Sequence, residues 1–562
     1  MQGNKLLAIV IFIPFLFSLF TGCTSENNDY NLRTAIMYNN GDGNIDIAKQ
    51  LIDNEENINK LPSAPFMEEN HSLTFAYKDS HNRLDMVYYL ISEGADVNYC
   101  STSTKSPLIT LSAYNADYEL TSYLIEKGAD VNLYGNGSSA LTYSVSNSMA
   151  DEYFQIEIFN LLLENGAEFS DETMQEAIKS VTNDGKMLLL QTVAKTAKNM
   201  GYSTGLPLIT ECAIFGNSEG VLNNFSEFEK LSEDERKLCI YACAAFCNPD
   251  VLKKLNENGV DFKKEYFFGG GYIYLIACAY GNTDSLKYIY ENDLYPDNSF
   301  TENINTPKIS YFYPDTLKYL TDKGMKITND HIITAVKRLD NEMLSFFFSE
   351  GLITPDGYMI MIQQLDNLCP NPFNKNADDE WLDTVRLVLD NGDGDFIKNV
   401  DFAPNLRYCK ILVEEYNNPV YCEYNPNSAT QSAYVLSHTY QSPECLEYLI
   451  SIGANVNECG INNDTVLSLA AEYGFYDSCK ILLENGADPN LTYNENRYPA
   501  FSWCLTDDYF IGGSDRLFDL FMQYDIDFES KIYNGMTAYE FAENHGSQQR
   551  ADYIKNKTLE KK

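Results

Sequence analysis

The stretch Thr465-Val466-Leu467-Ser468-Leu469-Ala470-Ala471, then Gly474, then Cys479-Lys480-Ile481-Leu482-Leu483-Glu484-Asn485-Gly486-Ala487-Asp488-Pro489-Asn490 decides how this chain folds. Its apolar residues recur at helical spacing in two short blocks, one on each side of Gly474. The closing motif returns as Gly94-Ala95-Asp96-Val97-Asn98, as Gly128-Ala129-Asp130-Val131-Asn132 and as Gly453-Ala454-Asn455-Val456-Asn457. A worn copy stands at Gly166-Ala167-Glu168-Phe169. Gly94 and Gly128 are 34 residues apart, and Gly453 and Gly486 are 33 apart. A unit this short cannot hide its own apolar face, so it has to stack on its neighbours.

Each part of the unit has a physical role. The alanine pair lets neighbouring first helices approach closely, and the leucines of the second block form the stripe that stacks on the next unit. Gly486 and its equivalents follow the second helix, where a left-handed cap favours glycine. The Asp and Asn after it open a turn-rich hairpin. At most fixed positions the stretch resembles the ankyrin consensus TPLHLAAxxGHLEIVKLLLExGADVN. The resemblance implies an all-α ankyrin-repeat solenoid of helix-turn-helix units joined by β-hairpin-like loops. It also implies a protein that works by binding other proteins, through hairpin tips and the concave first-helix face.

Degenerate copies extend the array. Gly43 to Ile52 reads as a second helix, and Leu206 to Gly216, Ile240 to Cys247 and Tyr274 to Gly281 read as first helices. Cys212-Ala213, Cys243-Ala244 and Ala277-Cys278 fill the alanine slots, while Tyr408 to Leu412 mirrors Ser478 to Leu482. Roughly fifteen units of about 33 residues fit the chain. The expected organisation is regular repeats over 30–170, degenerate repeats over 171–420, and repeats with a cap over 421–562. A non-ankyrin insert in the middle stays open. Both ends read as caps: a helix from Tyr30 without a preceding hairpin, and Asn534 to Ala542 followed by a polar helix through Lys562.

The first residues read as a targeting signal. Lys5 precedes an apolar run from Leu6 to Phe20, which is short for a bilayer span. Leu19-Phe20-Thr21-Gly22-Cys23 then gives way to polar residues. Small residues before a cysteine resemble the lipobox of bacterial lipoproteins, with Phe20 where leucine is usual. That resemblance implies a signal peptide over 1–22, diacylglycerol on Cys23, a tether over 23–29, and a chain held at the cell membrane facing outward from the cytoplasm. The alternative is an ordinary secretory signal or an uncleaved anchor.

Charge and residue usage narrow the function. The 562 residues carry a formal net charge of −41, which repels phosphate backbones. Nucleic acid is therefore disfavoured and a basic protein fits better, although the charge also serves to keep an extended surface soluble. The fourteen cysteines include no CxxC pair. Cys212, Cys243 and Cys278 take alanine slots, and Cys409, Cys445 and Cys479 fall on the second-helix stripe, so they read as small buried hydrophobes. Cys239, Cys243 and Cys247 are spaced for one helix face but have no histidine nearby. Cys100 and Cys459, at equivalent hairpin positions, read as exposed thiols.

Asp390 to Asp395 fails as a calcium loop, because the sixth and twelfth positions are Asp395 and Asp401 rather than Gly and Glu. Gly269-Gly270-Gly271 lacks the lysine of a phosphate loop and reads as a hairpin turn. The five histidines form no ligand pair, and no nucleophile elbow is present. The chain therefore reads as a non-enzyme with no cofactor, no metal and no small-molecule substrate.

The candidate contact residues are at the variable hairpin tips: Tyr99, Thr102, Lys105, Tyr134, Asn136, Ile461, Asp464, Tyr493, Glu495 and Arg497. Tyr99, Tyr134 and Tyr493 are the expected anchors, because tyrosine offers large contact area at low entropic cost. The competing reading packs each tyrosine on its own hairpin. Two functions share this surface: a membrane-tethered binding scaffold, and an immunity-type envelope protein that neutralises one dedicated partner.

Overall fold

The computed structural model describes residues 32–33, 35–36, 45–53, 57–59, 71–79, 84–100, 105–147, 149–264, 272–296, 313–369, 378–392, 405–417, 436, 439–457, 464–492, 498–505, 515–532, 535–545 and 547–560. These residues form short antiparallel helix pairs that stack side by side. Leu108–Tyr114 and Tyr118–Glu126 make one pair, and Ala140–Ser144 with Glu152–Glu164 makes the next. First helix touches first helix and second touches second.

The same rule joins Leu208–Ile214, Glu233–Phe246 and Ile273–Ala279 along the inner row. It joins Ser218–Asn223, Pro249–Glu257 and Thr283–Glu291 along the outer row. At the far end Val466–Glu472 pairs with Tyr476–Glu484, and Ala538–Asn544 packs on Gln548–Glu560. Between 171 and 417 the described residues are also helical, with longer members at Asp171–Asp184, Pro355–Asn367 and Asp378–Asn391. Tyr134–Gly135 and Ser138–Ser139 form a two-stranded antiparallel sheet. Among the described residues no helix is long and apolar enough to cross a membrane.

Local chemistry sets the helix ends. The Thr465 side chain accepts from the Ser468 amide, and Ser232 and Glu235 cap each other reciprocally. Gly94, Gly128, Gly166, Gly453 and Gly486 all take φ between 87° and 106°, the left-handed region expected just after the second helix. The core lies between the inner and outer rows. Ala470, Ala471, Cys243 and Cys278 are buried there, while Cys212 is half-buried. Cys409, Cys445 and Cys479 are buried on outer helices, and Cys100 is exposed.

The unit that ends at Gly166 departs from the regular length. Gly128 and Gly166 are 38 residues apart, not 33 or 34. Accordingly, Glu152–Glu164 has 13 residues where Tyr118–Glu126 has nine. The surplus is one helical turn at the N-terminus, carrying Glu152, Tyr153 and Gln155.

Candidate functional site

The hairpin row is held together by asparagine brackets. The Asn98 side chain accepts from the Asp130 amide at 2.7 Å and donates to the Gly128 carbonyl at 3.1 Å. Asn132 does the same to the Glu168 amide at 2.9 Å and the Gly166 carbonyl at 3.0 Å. Asn457 repeats the pattern on Asp488 and Gly486, and Asn490 on Asp527 and Asp525. Within each motif the Asp96, Asp130 or Asp488 carboxylate accepts from the amide two residues on. The terminator residues therefore join one unit to the next as well as making a turn. Asn490 also marks Asp525-Ile526-Asp527 as a terminator too worn to be recognised in the sequence.

Replacing Asn132 by Ala removes two of these bonds. The expected loss is about 1–2 kcal/mol, with faster amide exchange at Glu168 as the local readout. Unchanged exchange there contradicts the bracket.

Two of the expected contact residues stand out on this frame. Tyr134 is 63% exposed. Its hairpin turns through Asn136 and Gly137, with φ of 50° and 92°, the pair of left-handed residues that a tight two-residue turn demands. Asn136 is exposed, and its amide donates to the Lys105 carbonyl at 2.9 Å. Lys105 is itself exposed. A Cβ on Gly135 would come within 2.6 Å of the Thr110 hydroxyl, so only glycine lets this hairpin lie against the preceding unit.

Tyr99 differs: it is half-buried and stacks flat on His71, ring centres 3.9 Å apart. It therefore packs on a side chain outside its own hairpin, which neither reading of the tips expected. Asp464 is half-buried just before the cap residue Thr465. Cys23, Thr102, Cys459, Ile461, Tyr493, Glu495 and Arg497 lie outside the described residues, as do Tyr30, 265–271 and 393–400. Among the described residues no group of three or more His, Cys, Asp and Glu is placed to hold a metal ion.

The surplus turn builds a second polar site that the hairpin motif did not announce. Glu152 accepts from the Leu189 amide at 2.8 Å and meets the Tyr280 hydroxyl at 2.9 Å. Tyr280 also bonds the Gly185 carbonyl at 2.7 Å and receives the Met187 amide at 2.9 Å. Burial pushes the Glu152 carboxyl up, with the amide, Tyr280 and the Lys186 charge opposing. Beside it one terminal nitrogen of Arg338 donates to both Asp151 oxygens at 2.7 and 3.0 Å, and the Arg338 guanidinium lies 5.3 Å from the Tyr153 ring.

Tyr280 and Arg338 both occupy the C-cap of a first helix, just before a residue with positive φ. From that one position of the unit they reach back across several repeats and fasten the array to itself. The 38-residue step was the sequence signal for this clasp.

The family model for ankyrin repeats (3 copies) matches residues 73–173 and 400–493. No curated protein matches the chain. Ankyrin repeats imply protein–protein interaction, and proteins built from them are generally non-enzymatic binding scaffolds. Together with the stacked helix pairs, the glycine caps and the asparagine brackets, that match makes 73–173 and 400–493 ankyrin repeats of an all-α repeat solenoid.

Proposed function

We propose that the chain is a protein-binding scaffold, tethered outside the cytoplasm by lipid on Cys23 and recognising a basic protein partner through its hairpin tips. The observation that carries the binding half is Tyr134: a large ring, 63% exposed, on a hairpin fixed by its turn and by the unit beneath it. An exposed aromatic on a rigid loop gains contact area without first being ordered. The net charge of −41 favours a basic partner over nucleic acid. The tethering half rests on the apolar run from Leu6 to Phe20 and the small residues before Cys23.

Metabolic labelling with a fatty acid tests the tether. The chain is expected to carry label and to sediment with membranes, and Cys23→Ser to lose both. An unlabelled wild-type chain removes the lipid from the reading. Affinity capture from envelope extracts tests the binding: a partner retained by the wild type is expected to be lost by Tyr134→Ala combined with Lys105→Glu. Equal retention by both moves the contact away from the tips.

A further inference from the structure

At the edge of the array away from the hairpins, each first helix hands over to its second. Four large apolar side chains gather there. Tyr114, Tyr118 and Tyr153 are 41%, 39% and 36% exposed, and Met149 is 91% exposed. Tyr114 ends Leu108–Tyr114, Tyr118 opens Tyr118–Glu126, Met149 precedes Glu152–Glu164, and Tyr153 lies on its surplus turn. Tyr114 packs edge-on against Tyr143, with ring centres 5.9 Å apart. A patch of exposed rings across two adjoining units is the usual mark of an interface.

The charge around the rings selects the occupant. Glu157 follows Tyr153 by one turn, and Glu380 belongs to the first turn of Asp378–Asn391, remote in sequence. Both act electrostatically on Tyr118 and on Tyr153. Partial burial, then Glu380 and Glu164, hold the Glu157 carboxyl above its ordinary value. Two helices thus bring like charges together within electrostatic reach of the partly open Tyr118 ring.

The molecule also shows what such a place accepts. Arg338 lies over Tyr153 while Asp151 grips it with both oxygens. That guanidinium is already paired, so it does not answer Glu157 and Glu380. A planar guanidinium satisfies a ring face and a carboxylate together, whereas a lysine ammonium is a more strongly hydrated point charge.

We propose that this edge docks an arginine-rich segment of a partner protein, its guanidinium groups stacking on Tyr118 and pairing with Glu157 and Glu380, beside the Tyr153 ring that Arg338 already covers. The inference rests on the protein-binding reading but uses a different face from the hairpins. The full-length chain in detergent is titrated against fluorescent oligoarginine and oligolysine peptides at about 150 mM salt. Oligoarginine is expected to bind more tightly. Tyr118→Ala, and separately Glu157→Gln with Glu380→Gln, are expected to weaken it by about tenfold.

Two controls fix the place. The exposed pair Glu233→Gln with Asp234→Asn, and the hairpin variant Tyr134→Ala, are expected to leave the affinity unchanged. The proposal is overturned if the two peptides bind alike, if the Glu233 and Asp234 changes cost as much, or if Tyr118→Ala costs nothing. Loss through Tyr134→Ala alone also overturns it while supporting the hairpins as the binding face. Tyr118→Ala carries the test without touching the clasp.

Discussion

Lys186→Met is expected to lower the unfolding free energy by about 3–5 kcal/mol, the cost of removing one member of a buried charged network. Lys186 is only 7% exposed. Its ammonium donates to the Asn147 carbonyl at 2.7 Å, the Ala150 carbonyl at 2.8 Å and the Gln155 side-chain oxygen at 2.6 Å, which uses all three of its protons. The variant takes the donor from the Ala150 carbonyl and the Gln155 oxygen, leaves the Asn147 carbonyl only its bond from the Gln155 amide, and takes a favourable charge away from buried Glu152. Adding Glu152→Gln in the same chain is expected to recover part of the loss at pH above the raised value of the Glu152 carboxyl, where that group is ionised and Lys186→Met leaves it without its cation. Denaturant unfolding of the four chains measures the coupling, and strictly additive losses would falsify the clasp.

Proton counting around Tyr280 gives the same site a pH signature. The hydroxyl has one proton, yet Glu152 and Gly185 both present acceptors to it while the Met187 amide donates to its oxygen. All four groups are satisfied together only when Glu152 carries a proton and gives it to the Tyr280 oxygen. Burial favours that neutral form as well. A carboxyl held above its unfolded value binds protons more tightly in the folded chain. Its stabilisation is therefore complete below the ordinary glutamate range and is lost as pH rises through the raised folded value. Stability of the wild type is expected to fall over that window relative to Glu152→Gln, which cannot titrate. Parallel pH profiles for the two chains would place the raised carboxyl elsewhere.

The second large effect is expected at Trp381→Ala, about 3–5 kcal/mol from the cavity alone. The indole is 1% exposed, donates to the Leu365 carbonyl at 2.9 Å, and meets the Tyr408 ring at 5.1 Å. It therefore ties together Pro355–Asn367, Asp378–Asn391 and Leu406–Lys410. In a stacked array stability is a sum of units and neighbour interfaces, so emptying one interface separates what lies on either side. Unfolding is expected to split into two steps by circular dichroism. The chain has two tryptophans, so fluorescence of the variant reports on Trp503 and the C-terminal units alone. A single transition at the wild-type midpoint contradicts the role.

Much of the fold was legible because ankyrin units are local. Helix spacing, the alanine slots and the glycine after each second helix depend on residues within one unit and its neighbour. The cysteines followed the same logic: Cys243, Cys278, Cys409, Cys445 and Cys479 are buried where the register places small apolar residues. The hairpin site was legible in part. Tyr134 is open, while Tyr99 stacks on His71, a difference set by which ring finds a flat neighbour in the preceding unit.

By itself the sequence determined the unit, its period and therefore an all-α solenoid, since these are near-neighbour properties written into every copy. Only the tertiary structure decided how the array curls back, setting Tyr280 and Arg338 against Asp151 and Glu152 and bringing Glu380 within electrostatic reach of Tyr118. Such contacts join residues more than a hundred positions apart. They depend on small rotations added up over many stacked units, and no single unit encodes that sum.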